Sequence, residues 1–462
     1  MPEAPSIDTG NTAWLLVSSA LVLLMTPGLA LFYGGLNRSK GVLNMMMMSF
    51  SAMGLISILW LFYGFTVAFG DDKNGIWGDL GQYLGTKTFV SDMWGETGIP
   101  LYVFMAFQMM FAILTVALIS GGISDRAKFG GWLLFAFGWA TLVYFPVAHM
   151  VWGGGFIGGT LGALDFAGGT AVHINAGAAA LALALVLGKR VNWPAETPKP
   201  HNVPLVVLGA GLLWFGWFGF NAGSELTADS IAGVAFLNTQ VATAAAVLGW
   251  IIAEWIRNGK PTMVGAASGA IAGLVAITPA CAFITPWASV VLGLVAGAAC
   301  ALAVALKYRL GYDDSLDVFG VHFVAGWIGC LGIGFFGTST INELVENEGL
   351  FYGGGLTQLG IQALSALIVS VLSFVIAAAL AFVIDKTIGF RVSKEVEIQG
   401  IDINEHAEIG YDLSPISLNG HGPSPTTEPS PVADINRVRE DRAARAAATS
   451  SRSADASSQV VS

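Results

Sequence analysis

Apolar positions along this chain gather into eleven long runs separated by short polar stretches. They lie near residues 13–35, 42–69, 99–120, 128–150, 168–188, 203–221, 230–256, 263–280, 283–306, 316–336 and 357–390. Crossing a bilayer takes about 20 mostly apolar residues in an α-helix. The pattern therefore predicts an all-α integral membrane protein with eleven transmembrane helices, the last long enough to tilt steeply or project beyond the membrane. The stretch before the first run, 1–12, carries Glu3 and Asp8 but no Lys or Arg. A secretory signal needs a positive leading segment, so the first run reads as an uncleaved span behind an extracytoplasmic N-terminus.

Charge in the loops fixes the expected orientation. Taken alternately, one set of loops holds Arg38, Lys40, Arg126, Lys128, Lys189, Arg190, Lys199, Arg257, Lys260, Lys307 and Arg309, and the other holds only Lys73 and Lys87. Basic loops stay cytoplasmic, so the N-terminus is expected outside and the C-terminus inside.

Two of the runs share a short motif. The fifth contains Val172-His173-Ile174-Asn175-Ala176-Gly177 and the tenth Val321-His322-Phe323-Val324-Ala325-Gly326, both reading V-H-x-x-A-G. Five spans separate the copies, so the two helices run in opposite directions. That is the signature of an inverted five-plus-five repeat, with the functional site where the halves meet. His149 falls at the end of the fourth run, and His201, His406 and His421 lie in polar stretches. An ionisable residue at membrane depth marks function by default, against the plainer alternative of a packing histidine bonded to a carbonyl. No Cys or carboxylate is spaced to complete a metal site with the pair, so neither metal nor cofactor is expected.

Composition agrees with the bilayer assignment: 54% of the 462 residues are hydrophobic and 11% charged, against roughly 25% charged in soluble domains. The 59 glycines suit close helix packing. A formal charge of −10 argues against a nucleic-acid surface. Cys281, Cys300 and Cys330 all sit in apolar runs and read as core filling. So do Met45 to Met48, because four consecutive helical residues point in all directions.

Around the histidines the residues form longer recognisable strings. One is Asp165-Phe166-Ala167-Gly168-Gly169-Thr170-Ala171-Val172-His173, continuing through small residues to Gly188-Lys189-Arg190. Others are Pro146-Val147-Ala148-His149-Met150-Val151-Trp152-Gly153-Gly154-Gly155, Trp217-Phe218-Gly219-Phe220-Asn221-Ala222-Gly223-Ser224 and Phe107-Gln108-Met109-Met110-Phe111. A further string runs Asp313-Asp314-Ser315-Leu316-Asp317-Val318-Phe319-Gly320-Val321-His322. In this order, from about residue 8 to about 411, the chain resembles the ammonium transporters of the Amt/Mep/Rh superfamily, in their bacterial Amt form.

The resemblance implies a plasma-membrane homotrimer with one pore per subunit and paired histidines midway along it. By matched motif, Phe107, Trp152 and Ser224 form the outer recruitment site for ammonium, with methylammonium as a usable surrogate. Phe111 and Phe220 form a stacked gate beneath it, His173 and His322 are the pore histidines, and Asp165 is the supporting carboxylate. Asp165 also reads as a helix N-cap, and both roles stay open. Phe323 departs from the small residue usual after the second histidine, which puts the local packing in question.

Physical chemistry gives these residues a task. Ammonium matches potassium in charge and size, but it donates tetrahedral hydrogen bonds and can lose a proton. An indole face attracts a cation by roughly 0.5–2 kcal/mol, and a hydroxyl adds an oriented acceptor. An apolar pore offers nothing to replace a hydration shell. The expectation is therefore deprotonation near the gate and passage of neutral ammonia, with a separate proton relay through the imidazoles open as an alternative.

After the last run the composition changes. Residues 391–413, with Arg391, Gly400, Asp402 and His406, resemble the family's ordered cytoplasmic region, a docking surface for PII-class nitrogen-signalling proteins. From 414 to 462 the chain is rich in Pro, Ser and Ala and is expected to be disordered, with a short helix near 435–448. No nucleophile–base set sits at membrane depth, so the chain is not expected to be an enzyme. An ammonium sensor with minor flux and a Rhesus-type ammonia channel are the competing functions.

Overall fold

The structure is a computed structural model that describes residues 6–85, 90–195 and 199–411. Lys87, the tail beyond 411 and the helix expected near 435–448 lie outside the described residues. Every one of the eleven predicted runs contains a helix. Ten are long and apolar enough to cross a membrane: α1 (Thr9–Leu36), α2 (Val42–Phe69), α3 (Leu101–Ile123), α4 (Phe129–Thr160), α5 (Gly169–Leu187), α6 (Val203–Glu225), α7 (Ser230–Asn258), α9 (Pro286–Leu310), α10 (Phe319–Phe336) and α11 (Thr357–Thr387). The eighth run gives the shorter α8 (Met263–Ile277), which breaks at residues 278–284 into successive turns. Two short helices, α12 (Lys394–Gln399) and α13 (Ile401–Glu405), follow the last span.

Small residues set how closely the helices approach. Gly293 and Gly297 of α9 face the Ala242 and Ala246 carbonyls of α7, where an added Cβ would lie 2.1 Å from each oxygen. Any side chain there would push the two helices apart, the usual reason for glycine at a four-residue interval in a membrane interface. The helices also depart from regular α geometry. Five-residue π turns interrupt α2 at Trp60–Gly64 and α4 at Ala140–Tyr144, and π turns open both histidine-bearing helices, at Gly169–Ile174 and Phe319–Phe323. A π turn spends an extra residue per turn and re-aims the side chains within it, a feature concentrated at functional sites. The fourth helix also runs further than the sequence pattern predicts, so His149 sits inside its last α turn, fully buried.

Loops from the basic set converge on one face. Arg38, from the α1–α2 loop, bonds Asp125 of the α3–α4 loop at 2.8 Å. Arg190, from the α5–α6 loop, holds Asp313 of the α9–α10 loop through Nε at 2.9 Å and Nη2 at 2.8 Å. Arg126 donates to Ser315 Oγ at 2.6 Å and to the Gly122 carbonyl at 2.9 Å. Burial of these charges would be costly without such partners. The tail closes over the same face: Arg391 donates to the Leu187 carbonyl at 2.7 Å and pairs with Glu397 at 2.8 Å. Asp402 accepts from the Leu43 and Asn44 amides at the start of α2, and His406 Nε2 lies 2.9 Å from Asn44 Oδ1. Gly400 crosses the Lys40 backbone with φ +130°, where a Cβ would meet the Lys40 carbonyl at 3.1 Å. All four residues expected in the regulatory tail thus fasten it to its own chain. On the opposite face the N-terminal segment meets the α2–α3 and α6–α7 loops, with Asp8 N donating to Gly98 O at 2.9 Å and Ala228 N to Asn11 Oδ1 at 2.9 Å.

Burial pushes the Asp313 carboxyl up, but hydrogen bonds from Arg190 and the charges of Arg126 and Arg190 outweigh it and hold the group below its ordinary value. Its contribution to stability is then complete above the unfolded value of about 3.9 and is lost as pH falls through the lower folded value. Asp313→Ala removes both short side-chain bonds of the buried Arg190 guanidinium and should lower unfolding free energy by about 3–5 kcal/mol near neutral pH. Thermal unfolding of purified protein in detergent checks this, and the wild-type and variant curves should converge in acid.

Candidate functional site

On the face opposite the basic loops, a cavity of about 150 Å³ opens between α2, α3, α4 and α6. Its walls are aromatic: Trp152, Phe111, Phe104, Phe69, Phe166 and Trp94, with Gln108 and Ser224 as polar members. A two-residue antiparallel pair, Met93–Trp94 with Ile99–Pro100, carries Trp94 onto the flat face of Phe104 at 3.8 Å and 8°. Trp152 and Ser224 meet in this cavity as the motifs predict, and Ser224 Oγ donates to the Phe220 carbonyl at 2.7 Å, which leaves its lone pairs as acceptors. Phe107 does not line it. Its side chain is fully buried behind the wall, edge-on to Phe111 at 4.9 Å.

Phe111 and Phe220 close the floor of the cavity, stacked at 4.2 Å and 23°. Behind them comes His173, its ring 6.0 Å from Phe220 and stacked at 5.3 Å on Trp217. Trp217 is itself fixed by an indole N–H bond of 2.8 Å to Thr278 Oγ1. His322 follows, with its Nδ1 3.3 Å from His173 Nδ1. One of those nitrogens carries the hydrogen and the other accepts it, so the pair cannot be doubly protonated while bonded. His173 Nε2 is buried with no partner among the described residues. An unpaired imidazole nitrogen at this depth is costly unless something else fills its bond.

The two histidine helices cross by a reciprocal contact. Gly177, four residues after His173, receives residue 323, and an added Cβ would lie 2.7 Å from the Phe323 Cβ and nitrogen. Gly326, four residues after His322, receives Ile174, at 2.9 Å from its Cγ1. Each copy of the motif therefore docks the residue after the histidine onto the other copy's glycine, which brings the imidazoles together. The Phe323 ring turns away from the pair and stacks on Phe319 at 4.7 Å, in an apolar groove with α11. The departure noted in the sequence falls outside the histidine path.

Each histidine helix also begins on a carboxylate eight residues before its histidine. Asp165 accepts from the amides of Gly168 and Gly169 at 2.9 and 2.7 Å through Oδ1, and of Thr170 and Ala171 at 2.8 and 3.0 Å through Oδ2. Asp314 accepts from Val318 and Phe319 at 3.1 and 2.8 Å. Four N–H donors on one carboxylate make Asp165 a helix cap. Its carbonyl also receives the Trp152 indole N–H at 2.8 Å. The sequence gives Asp165 a role, whereas Asp314 and Trp217 stand in the motif strings without one and Trp94 lies outside them. The shared eight-residue spacing to histidine was the available signal for Asp314. Trp94 left none, because its place depends on a hairpin outside any span.

Among the described residues no group of three or more His, Cys, Asp or Glu is placed to hold a metal ion. The fold and the site together define a multi-pass helical membrane protein in which two helices each bring one histidine behind a stacked phenylalanine pair. A family model described as "Ammonium Transporter Family" matches residues 13–411. An ammonium transporter of Mycobacterium tuberculosis is 55% identical over 450 residues, covering 92% of this chain and 94% of that protein. One of Bacillus subtilis is 49% identical over 412 residues, 88% of this chain and all of that protein. Among solved structures, Candida albicans Mep2 superposes with a TM-score of 0.78 at 33% identity, covering 90% of this chain and 95% of that one. A "Sensor Amt Protein" gives 0.78 at 29% identity, covering 86% and 98%. The chain belongs to the Ammonium Transporter Family and is a multi-pass protein of the cell membrane.

The crossing contact yields a paired test. Gly177→Val forces the histidine helices apart, and ammonium flux in proteoliposomes should fall by roughly 100-fold, the scale of an ångström-size misplacement. Phe323→Leu on the partner helix keeps the Cβ and backbone that meet Gly177 and changes only the ring packed toward α11, so flux should stay within about twofold of wild type.

Proposed function

We propose that this protein takes ammonium from the aromatic cavity, removes its proton at the Phe111–Phe220 gate and passes neutral ammonia along the histidine pair. Family membership supports ammonium transport itself. The mechanism rests on one observation above the others, the Nε2 of His173, without a partner among the described residues, behind a stacked phenylalanine pair. Ammonium in the cavity meets the Trp152 face and the Ser224 lone pairs, which answer its charge and its N–H donors. Beyond the gate the rings of Phe111, Phe220 and Trp217 give a cation no substitute for water, so the intact ion faces a steep desolvation cost. Ammonia carries no charge and finds on His173 a nitrogen able to exchange a hydrogen bond with it. Potassium shares the first attraction but has no neutral form, and selectivity follows.

In one form of this mechanism the released proton crosses separately along the bonded Nδ1 pair and net charge moves; in the other it returns to the water of the outer cavity and ammonia crosses alone. Two further elements come from the resemblance, a homotrimer and a PII-class protein acting on the basic face, and the loop charges make that face with its docked tail cytoplasmic. Regulation of this kind would work by loosening the contacts of Arg391, Asp402 and His406. The 29% identity to a sensor Amt protein supports a second reading, in which signalling matters more than flux.

Solid-supported-membrane recordings on proteoliposomes distinguish these. Ammonium pulses should give a sustained current that potassium does not, and His173→Ala and His322→Ala should each abolish it. Fast internal alkalinisation without current would assign ammonia conduction. Absence of both signals in well-reconstituted protein would refute transport and favour the sensor.

A further inference from the structure

The loop between α4 and α5, residues 161–168, carries Asp165 and through it the orientation of Trp152. Its regular backbone bonds are few: Leu161 N donates to Phe156 O, Ala163 N to Ile157 O and Phe166 N to Pro279 O. Leu164, immediately before Asp165, turns both its backbone groups to one side chain on another helix. Leu164 N donates to Gln362 Oε1 at 2.8 Å, and Gln362 Nε2 donates to Leu164 O at 2.7 Å. Gln362, fully buried on α11, thus behaves like a neighbouring peptide group, with one acceptor and one donor in register.

The amide is itself held on its other sides. Gln358, one turn earlier, donates to Gln362 Oε1 at 3.1 Å, and Gln362 Nε2 also reaches the Cys330 carbonyl at 3.3 Å. Cys330 Sγ in turn lies 3.4 Å from Thr170 Oγ1, within the π turn of α5 that Asp165 caps. The clamp thereby joins α11 to both histidine helices and to the loop. One residue along, the Asp165 carbonyl receives the Trp152 indole at 2.8 Å, and that bond sets the direction of the indole face in the cavity.

We infer that Gln362 is a positioning residue for ammonium recruitment: its side-chain amide fixes Leu164, and through the Asp165 carbonyl it holds the Trp152 indole toward the substrate. The inference rests on the recruitment role proposed above for Trp152. Because Gln362 acts on the outer cavity and not on the gate, its loss should weaken capture while sparing the later steps.

The test is concentration-dependent methylammonium uptake in proteoliposomes for wild type, Gln362→Met, Gln362→Glu, Trp152→Phe and the double variant Gln362→Met with Trp152→Phe. Gln362→Met keeps the volume and removes both bonds, and should raise the apparent KM at least fivefold with Vmax within twofold. Gln362→Glu, when protonated, again offers one donor and one acceptor. Its KM should be raised at neutral pH and return toward wild type as pH falls, whereas that of Gln362→Met should not. This recovery also separates positioning from mere loss of fold. In the double variant the Gln362→Met effect should largely vanish, since its target is gone. A wild-type KM for Gln362→Met alongside a raised KM for Trp152→Phe overturns the inference alone, as does a full additional effect in the double variant. An unchanged KM for Trp152→Phe overturns the recruitment reading on which it rests.

Discussion

Inside a bilayer no water completes the hydrogen bonds of backbone that leaves the helix, and this protein leaves the helix where its chemistry must sit. The α4–α5 loop and the two π turns would expose several amides and carbonyls at depth. Side chains take up those bonds: Asp165 accepts four amides, Asp314 accepts two, and Gln362 satisfies both groups of Leu164. The aromatic cavity and the histidine path are the spaces that these irregular segments create. Among the described residues His173 Nε2 is a buried polar atom left without a partner behind the stacked phenylalanines.

The same constraint explains the symmetry. Two helices that run in opposite directions can meet at a small residue only if each offers one, and the V-H-x-x-A-G motif supplies a glycine four residues after each histidine. The crossing then sets the imidazoles at 3.3 Å between their Nδ1 atoms. On the basic face, charges are buried in a closed set of Arg and Asp partners tied to the tail. Rigidity at that face and irregularity near the centre are complementary, since the site needs firm ends around a path that is not a plain bundle.

Much of this was legible in the sequence because the signals are long or repeated. Runs of 18 to 34 residues announce spans, and the paired motif announces the crossing. Strings of matched residues placed Trp152, Ser224, Phe111, Phe220, His173 and His322 near one another, and the structure brings them into one line of contacts. Phe107 packs edge-on behind Phe111 and not in the cavity lining, because a motif places a residue on a helix without fixing which way its side chain turns. Gln362 left no trace, because a lone Gln in an apolar run has no motif and its partner is backbone 198 residues away. Asp402 and His406 were found as a tail feature, yet their grip on α2 needs the folded face to be seen.

The central claim is that the nitrogen loses a proton before it crosses the constriction. Its most direct test is the rate of transport in ordinary and heavy water, with a viscosity-matched control, read as current if charge moves and as internal alkalinisation if it does not. Bond cleavage at the gate predicts a rate several-fold slower in heavy water than the control. A rate equal to the control would contradict the account, in which proton loss at the gate limits transport.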